Sequence, residues 1–98
     1  MIEIDTIFLG LILTELDEDC QGRALHPMVS ELECTSSTEF VKTYYANYEF
    51  KEVVTSPDYP KGCYVYVSGD RFEGYFNKHS TGTGHLSARA ICKIDNGR

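Results

Sequence analysis

The chain has 98 residues, with 9 Lys and Arg against 15 Asp and Glu and a net charge of −6. That length holds one small domain, and the excess of acid argues against non-specific nucleic-acid binding, which needs Lys and Arg to meet phosphate. At 42% hydrophobic and 24% charged residues the composition is that of a folded chain, and no apolar run approaches the roughly 18 residues of a membrane span.

Residues 1–19 form an acidic N-terminal segment: Glu3, Asp5, Glu15, Asp17, Glu18 and Asp19 stand there without a Lys or Arg. Such a run is either a contact surface for a basic partner or divalent cation, or a solvated turn that aids solubility; the second is the commoner fate of short charge runs. Within the segment lies Ile7-Phe8-Leu9-Gly10-Leu11-Ile12-Leu13. No positive stretch precedes it and no small-residue cleavage site follows, so it does not read as a signal peptide. If the protein is exported, its targeting segment is expected either to lie outside this sequence or to have been removed ahead of Met1. The run reads as part of a buried strand from Thr6 to Leu16. A domain this small does not readily cover such a strand on both faces, which makes Ile7, Leu9 and Leu11 candidates for contact with a partner.

A turn is expected at Asp19–Gly22, then a short strand from Arg23 to Met28 closed by Pro27. Ser30-Glu31-Leu32-Glu33 is a helix start: Ser30 can cap the backbone, Glu33 can reach back to complete a capping box, and Glu31 and Glu33 meet the positive end of the helix dipole. Leu32, Ser36, Phe40 and Tyr44, with Val41, Tyr45 and Tyr48 alongside, predict one apolar stripe on a helix over about 31–46, ended by Asn47 in a left-handed cap. Phe50–Thr55 reads as a strand and Ser56–Gly62, with two prolines, as a loop. Cys63–Val67 is β-branched and aromatic, Ser68–Arg71 is a hairpin turn, and Phe72–Asn77 is the returning strand. After a Gly- and Thr-rich loop, Leu86–Ile94 closes the order. The fold class is α+β: an antiparallel sheet of about 4–6 strands with one helix across it. Residues 20–98 form the module proper.

Cys20, Cys34, Cys63 and Cys92 are even in number in a short chain, a setting in which disulfides supply stability that burial does not. No pair has C-x-x-C spacing, so neither a thioredoxin-like motif nor a zinc knuckle is supported. Each long loop closed would contribute about 3–4 kcal/mol. Three pairings are open; the nested one, Cys20–Cys92 with Cys34–Cys63, is preferred.

From Cys20 onward the motifs Glu33-Cys34, Gly62-Cys63-Tyr64, Tyr75-Phe76-Asn77 and Ile91-Cys92-Lys93 resemble a small four-cysteine module of uncharacterised microalgal proteins. That resemblance implies an oxidising location and carries no reaction. A looser similarity of architecture links the chain to apple/PAN domains, in which a helix is tied by disulfide to an antiparallel sheet; those usually carry more cysteines and bind proteins or glycans. Neither likeness extends to residues 1–19.

Alternation puts Tyr64 and Tyr66 on one face and Val65 and Val67 on the other. With the valines facing the core, Tyr64, Tyr66 and Tyr75 are left half exposed, as anchors for a protein or sugar or as cross-strand packing. His79 and His85 are the residues a metal would use, with Asp70 or Glu73 as third ligand, but their spacing matches no zinc motif and no metal or other cofactor is expected. Ser80, His79 and Asp70 lack a G-x-S-x-G elbow. Gly82 and Gly84 are followed by no Lys-Ser/Thr and no helix, so the loop is not a phosphate cradle. Asn77 is expected to satisfy loop backbone, and Arg89 to pair with the acidic segment.

The expected function is therefore non-catalytic: a disulfide-stabilised protein-interaction module, an accessory subunit of a larger assembly, in an oxidising extracytoplasmic space (secreted, cell surface or, in an alga, thylakoid lumen). The alternatives are a carbohydrate-binding module using the exposed tyrosines and a small metal protein or enzyme using the His79/His85 loop.

Overall fold

In the computed structural model, which describes residues 10–94, the sheet is built on one hairpin. Strands β4 (Gly62–Ser68) and β5 (Arg71–Asn77) pair antiparallel through a two-residue turn, Gly69–Asp70. Gly69 takes a φ of 63°, a conformation a side chain would strain. The strands are rich in valine, tyrosine and phenylalanine, which suit a pleated, half-buried surface. β6 (Ala88–Lys93) pairs with the other side of β4, and β1 (Leu11–Leu13) with the far side of β6. β2 (His26–Pro27) continues along β6 where β4 leaves off. The order is β1-β6-β4-β5-β3, six strands with β2, and the α+β class expected from the sequence is the one observed. One pairing departs from the antiparallel expectation: β3 (Glu49–Val54) runs parallel to β5, with a register shift between Phe50 and Glu52. The loop after β3 returns past the end of β5 to start β4, so β3 and β5 leave the same end of the sheet.

The helix is shorter than predicted and broken. α1 (Glu31–Ser36) and α2 (Thr38–Lys42) meet at Ser37, and no left-handed cap forms at Asn47. The sequence C-T-S-S-T explains the break. The Ser37 hydroxyl donates to the Cys34 carbonyl at 2.7 Å, and Thr35 and Thr38 donate to the carbonyls of Leu32 and Thr35. These short side-chain bonds compete with the helical ladder. Thr43 does the same at the end of α2, donating to Glu39. The expected cap is present, since Ser30 Oγ accepts from the Glu33 N–H at 3.1 Å; Glu33 in turn accepts from the N–H of Val29, one residue before the position a capping box uses.

The broken helix also presents a different stripe. Leu32 is 74% exposed, and Tyr44 faces solvent. The inward face is Cys34, Ser37, Phe40 and Val41, with Tyr45 and Tyr48 following. Together with Cys63, Val65, Phe76, Ile91 and Met28 these form the main core beneath the sheet. The valines thus face the core, as alternation predicts. A second, smaller core on the opposite face holds Cys20, Ala90 and Cys92 with Leu25 against them.

Each core contains one disulfide, in the nested pairing: Cys34–Cys63 ties α1 to β4, and Cys20–Cys92 ties the turn before β2 to β6. The Cα atoms are 5.2 and 5.5 Å apart, within the usual span of a bridge. No cysteine is left free.

The described part of the acidic segment joins the sheet through Leu11–Leu13 and then turns. Leu11 and Leu13 are half-buried and pack on the main core rather than standing open; Ile7 and Leu9 lie outside the described residues. The strand ends at Leu13, short of the predicted Leu16. Thr14 carries the pairing one step further, its N–H bonding the Ala90 carbonyl and its hydroxyl accepting from the Ala90 N–H. Asp17 then turns the chain at φ 67°, which leaves Leu16 on the surface. Arg89 reaches this segment by another route than the one expected. Its guanidinium donates to the Thr14 carbonyl and to the Tyr45 hydroxyl and lies over the Tyr45 ring, with no carboxylate partner among the described residues. The backbone carbonyl and the phenol are the acceptors that β6 brings within reach.

Candidate binding site

The sheet face away from the helix carries a row of aromatic rings. Tyr64 on β4 stands opposite Tyr75 on β5 and Ala90 on β6, and Tyr66 stands opposite Glu73 and Ala88. Tyr59 and His85 join this face from the adjoining loops. The Tyr59 ring stacks on Tyr64 at 5.2 Å and 8°, and His85 stacks on Tyr59 at 4.3 Å and 18°. Tyr75 covers the other side of Tyr64 at 5.5 Å and 27°. The result is a run of four near-parallel rings, His85–Tyr59–Tyr64–Tyr75, with Tyr66 standing across Tyr59 at 65°.

Polar contacts fix the loop that delivers Tyr59. Asn77, at the end of β5, is 1% exposed and makes five hydrogen bonds. Its carbonyl oxygen accepts from the N–H groups of Ser56 and His79; its amide donates to the carbonyls of Ser56, Tyr59 and Pro60. This is the structural role expected of it. The Thr83 N–H bonds the Tyr59 carbonyl at 3.1 Å, and Gly82 sits so close to the Tyr59–Lys61 backbone that a Cβ there would collide with it. The Gly- and Thr-rich loop therefore serves as a backbone buttress.

Tyr59, Tyr64, Tyr66, Tyr75 and Glu73 line a shallow depression of about 240 Å³. Glu73 is its only charged wall. The carboxylate accepts from the Tyr75 hydroxyl at 3.1 Å and from Arg71 at 2.8 Å. The Tyr75 bond, and then Arg71, hold the Glu73 carboxyl below its ordinary value despite some desolvation. Burial pushes the Tyr64 phenol well up, and burial together with the Glu73 bond raises Tyr75. At neutral pH the raised Tyr64 and Tyr75 phenols are thus neutral beside the Glu73 anion.

The three tyrosines named from the sequence do share this face, but they are not equivalent. Tyr66 and Tyr75 are partly exposed, whereas Tyr64 is 3% exposed and covered by a ring on each side. A sugar needs a free ring face to stack on, and the stack leaves none at Tyr64. Tyr59 was not legible as a member of this face, and the sequence points to Glu73 only as a third ligand for a metal beside the histidines. A lone tyrosine between two prolines shows no periodicity, and its place is set by the Asn77 and Thr83 bonds to its carbonyl.

His79 and His85 serve separate local ends. The Nδ1 atom of His79 faces the backbone and hydroxyl of Thr81, and that of His85 accepts from the Ser87 N–H while the ring stacks on Tyr59. No three His, Cys, Asp or Glu side chains converge as metal ligands among the described residues. The acids of the N-terminal turn are also engaged locally. Glu18 binds Arg23 at 2.9 Å, which holds its carboxyl below the usual value, and Asp19 accepts from the Gly22 N–H. Among the described residues no helix is long and apolar enough to cross a membrane. The chain matches no protein-family model, no curated protein and no solved structure; what the fold and the two disulfides show is a small disulfide-stabilised α+β module suited to an oxidising environment.

Proposed function

We infer that this module is a non-catalytic protein-interaction domain that docks a partner through its tyrosine face, as an accessory subunit of a larger assembly in an extracytoplasmic, oxidising space. The observation that carries the reading is the built character of that face. Four aromatic side chains meet around one depression, on a sheet stapled on both sides by disulfides, with the Tyr59 loop held by the five bonds of Asn77. Rigid, partly exposed tyrosines bury large area at low entropic cost, which is why such residues anchor protein interfaces. Secretion, display at a cell surface and, in an alga, the thylakoid lumen all supply the redox conditions the bridges need. The resemblance to the four-cysteine microalgal module and to apple/PAN architecture points the same way.

The test is site-specific photo-cross-linking in the source cells, with a photoreactive residue at Tyr66 or, on the helix side, at Leu32. A discrete partner captured from position 66 and absent from position 32 supports the reading. Capture from position 32 alone moves the interface to the helix side, and no capture from either removes the docking role.

A further inference from the structure

The chemistry of the depression narrows what enters it. We propose that the pocket formed by Tyr59, Tyr64, Tyr66, Tyr75 and Glu73 receives the guanidinium or ammonium group of a basic side chain on the partner, with Glu73 as counter-ion. This rests on the tyrosine face being the docking face.

Three observations carry it. First, the single charge in the wall is negative, and it is set into the site: the Glu73 side chain is 18% exposed. A carboxylate offers about four acceptor positions, and the Tyr75 hydroxyl and Arg71 occupy two. An anionic ligand group would meet a carboxylate with no cation in the wall to receive it. A neutral apolar group would leave that carboxylate desolvated and short of partners, which is costly. A cation meets both the charge and the open acceptor positions, and the phenolic oxygens around it are further acceptors. Second, a guanidinium already reaches this carboxylate from outside. Arg71 is 73% exposed and touches Glu73 through one nitrogen at 2.8 Å, an exposed surface pair of the weakly held kind that a better-placed cation can join or displace. Third, the cavity of about 240 Å³ is smaller than the roughly 300–1,000 Å³ of ordinary small-molecule pockets, and so fits a side chain better than a free cofactor. The tyrosine rings add cation–π attraction. Glu52, which acts on Tyr75, adds a second carboxylate beside the pocket, as Lys51 and Arg71 add cations beside Glu73.

The experiment titrates the oxidised, isotope-labelled full chain with a blocked Gly-Arg-Gly-Arg-Gly peptide and follows backbone amide resonances. The expected result is saturable shifts at Tyr59, Tyr64, Tyr66, Glu73 and Tyr75, weakening with added salt. Replacing arginine by its neutral isostere citrulline should weaken binding about ten-fold or more, the effect of losing a charge-assisted bond. Glu73→Gln, which keeps shape and an acceptor for Tyr75, should do the same while the remaining spectrum shows the fold intact. Tyr66→Ala provides a second variant that leaves the carboxylate in place and should weaken binding through the rings. Equal affinity for the citrulline peptide, or for Glu73→Gln, overturns the proposal, as do shifts confined to another surface. Shifts of these amides by a neutral oligosaccharide and not by the peptide also overturn it. If the peptide fails while cross-links still form from position 66, the docking face stands and the cation assignment alone falls.

Discussion

Tyr48 gives the sharpest test of the packing. Its ring is 2% exposed in the main core, and its hydroxyl, wedged beneath Gly74 of β5, has no hydrogen-bond partner among the described residues. Burying a hydroxyl without a partner costs about 1–3 kcal/mol by mutational measures, whereas the dispersion attraction of a single oxygen atom returns only a few tenths of that. Tyr48→Phe should therefore stabilise the protein at pH 7 by about 1 kcal/mol, a rise in Tm of roughly 4–8 °C for a domain of this size. Desolvation also raises the Tyr48 phenol to about 12 from its ordinary 10. A folded-state value above the unfolded one means that this contribution is complete below pH 10 and is lost as pH climbs from 10 towards 12, because the unfolded chain ionises first. Near pH 11 the wild type should have lost about 1.4 kcal/mol that the variant keeps, so the gap between the two should widen to about 2–2.5 kcal/mol. Guanidinium unfolding followed by circular dichroism at pH 7, 9 and 11 measures this, and with no free cysteine, thiol exchange does not start from within the folded chain. A less stable Tyr48→Phe at pH 7 would refute the reasoning by showing that the hydroxyl has a partner, and an unchanged gap at pH 11 would refute the desolvation.

Other perturbations follow from the same geometry. Gly74→Ala drives a Cβ into the Tyr48 ring and hydroxyl; thermal unfolding should register a loss of about 2–3 kcal/mol, larger than the ordinary surface substitution. Asn77→Ala leaves buried loop carbonyls and N–H groups without partners and should cost about 3 kcal/mol or more, with faster hydrogen exchange at Ser56 and His79 as its local signature. Removing Cys34–Cys63, which closes 29 residues, should cost about 3.5 kcal/mol, and removing Cys20–Cys92, which closes 72, about 4.5 kcal/mol. Losing both should unfold the chain at 37 °C by circular dichroism. On intact mass, alkylation of the unreduced protein should add no label; four labels without reduction would contradict both bridges.

How far the sequence reveals this molecule depends on the range of the interaction concerned. The hairpin 62–77 and the Ser30 cap are local and were legible, as was the anchoring role of Asn77. The sequence leaves three disulfide pairings open, and the nested one preferred there is the one formed. The break at Ser37 was written in the run of hydroxyl residues, but helical periodicity of the apolar residues masks it, and Leu32 at a stripe position turned out to face water. The parallel pairing of β3 carries no sequence signal in a strand with three charged residues. The candidate site was half legible. Tyr64, Tyr66 and Tyr75 follow from strand alternation, whereas Tyr59 and His85 enter from loops separated by more than twenty residues and meet only in the folded chain.

The parallel edge has a kinetic side. A two-residue hairpin forms on its own within microseconds, but β3 has nothing to pair with until β5 is in place, and its connection must pass the end of that strand. Parallel and non-local pairings close their loops at an entropic cost before any contact offsets it. The hairpin is therefore expected to form first and β3 to dock onto it later, with the Ser56–Lys61 loop pinned once Asn77 and β3 are both in position. Tyr64, Tyr66, Glu73 and Tyr75 thus arrive with the hairpin, and Tyr59 completes the depression only once its loop is pinned.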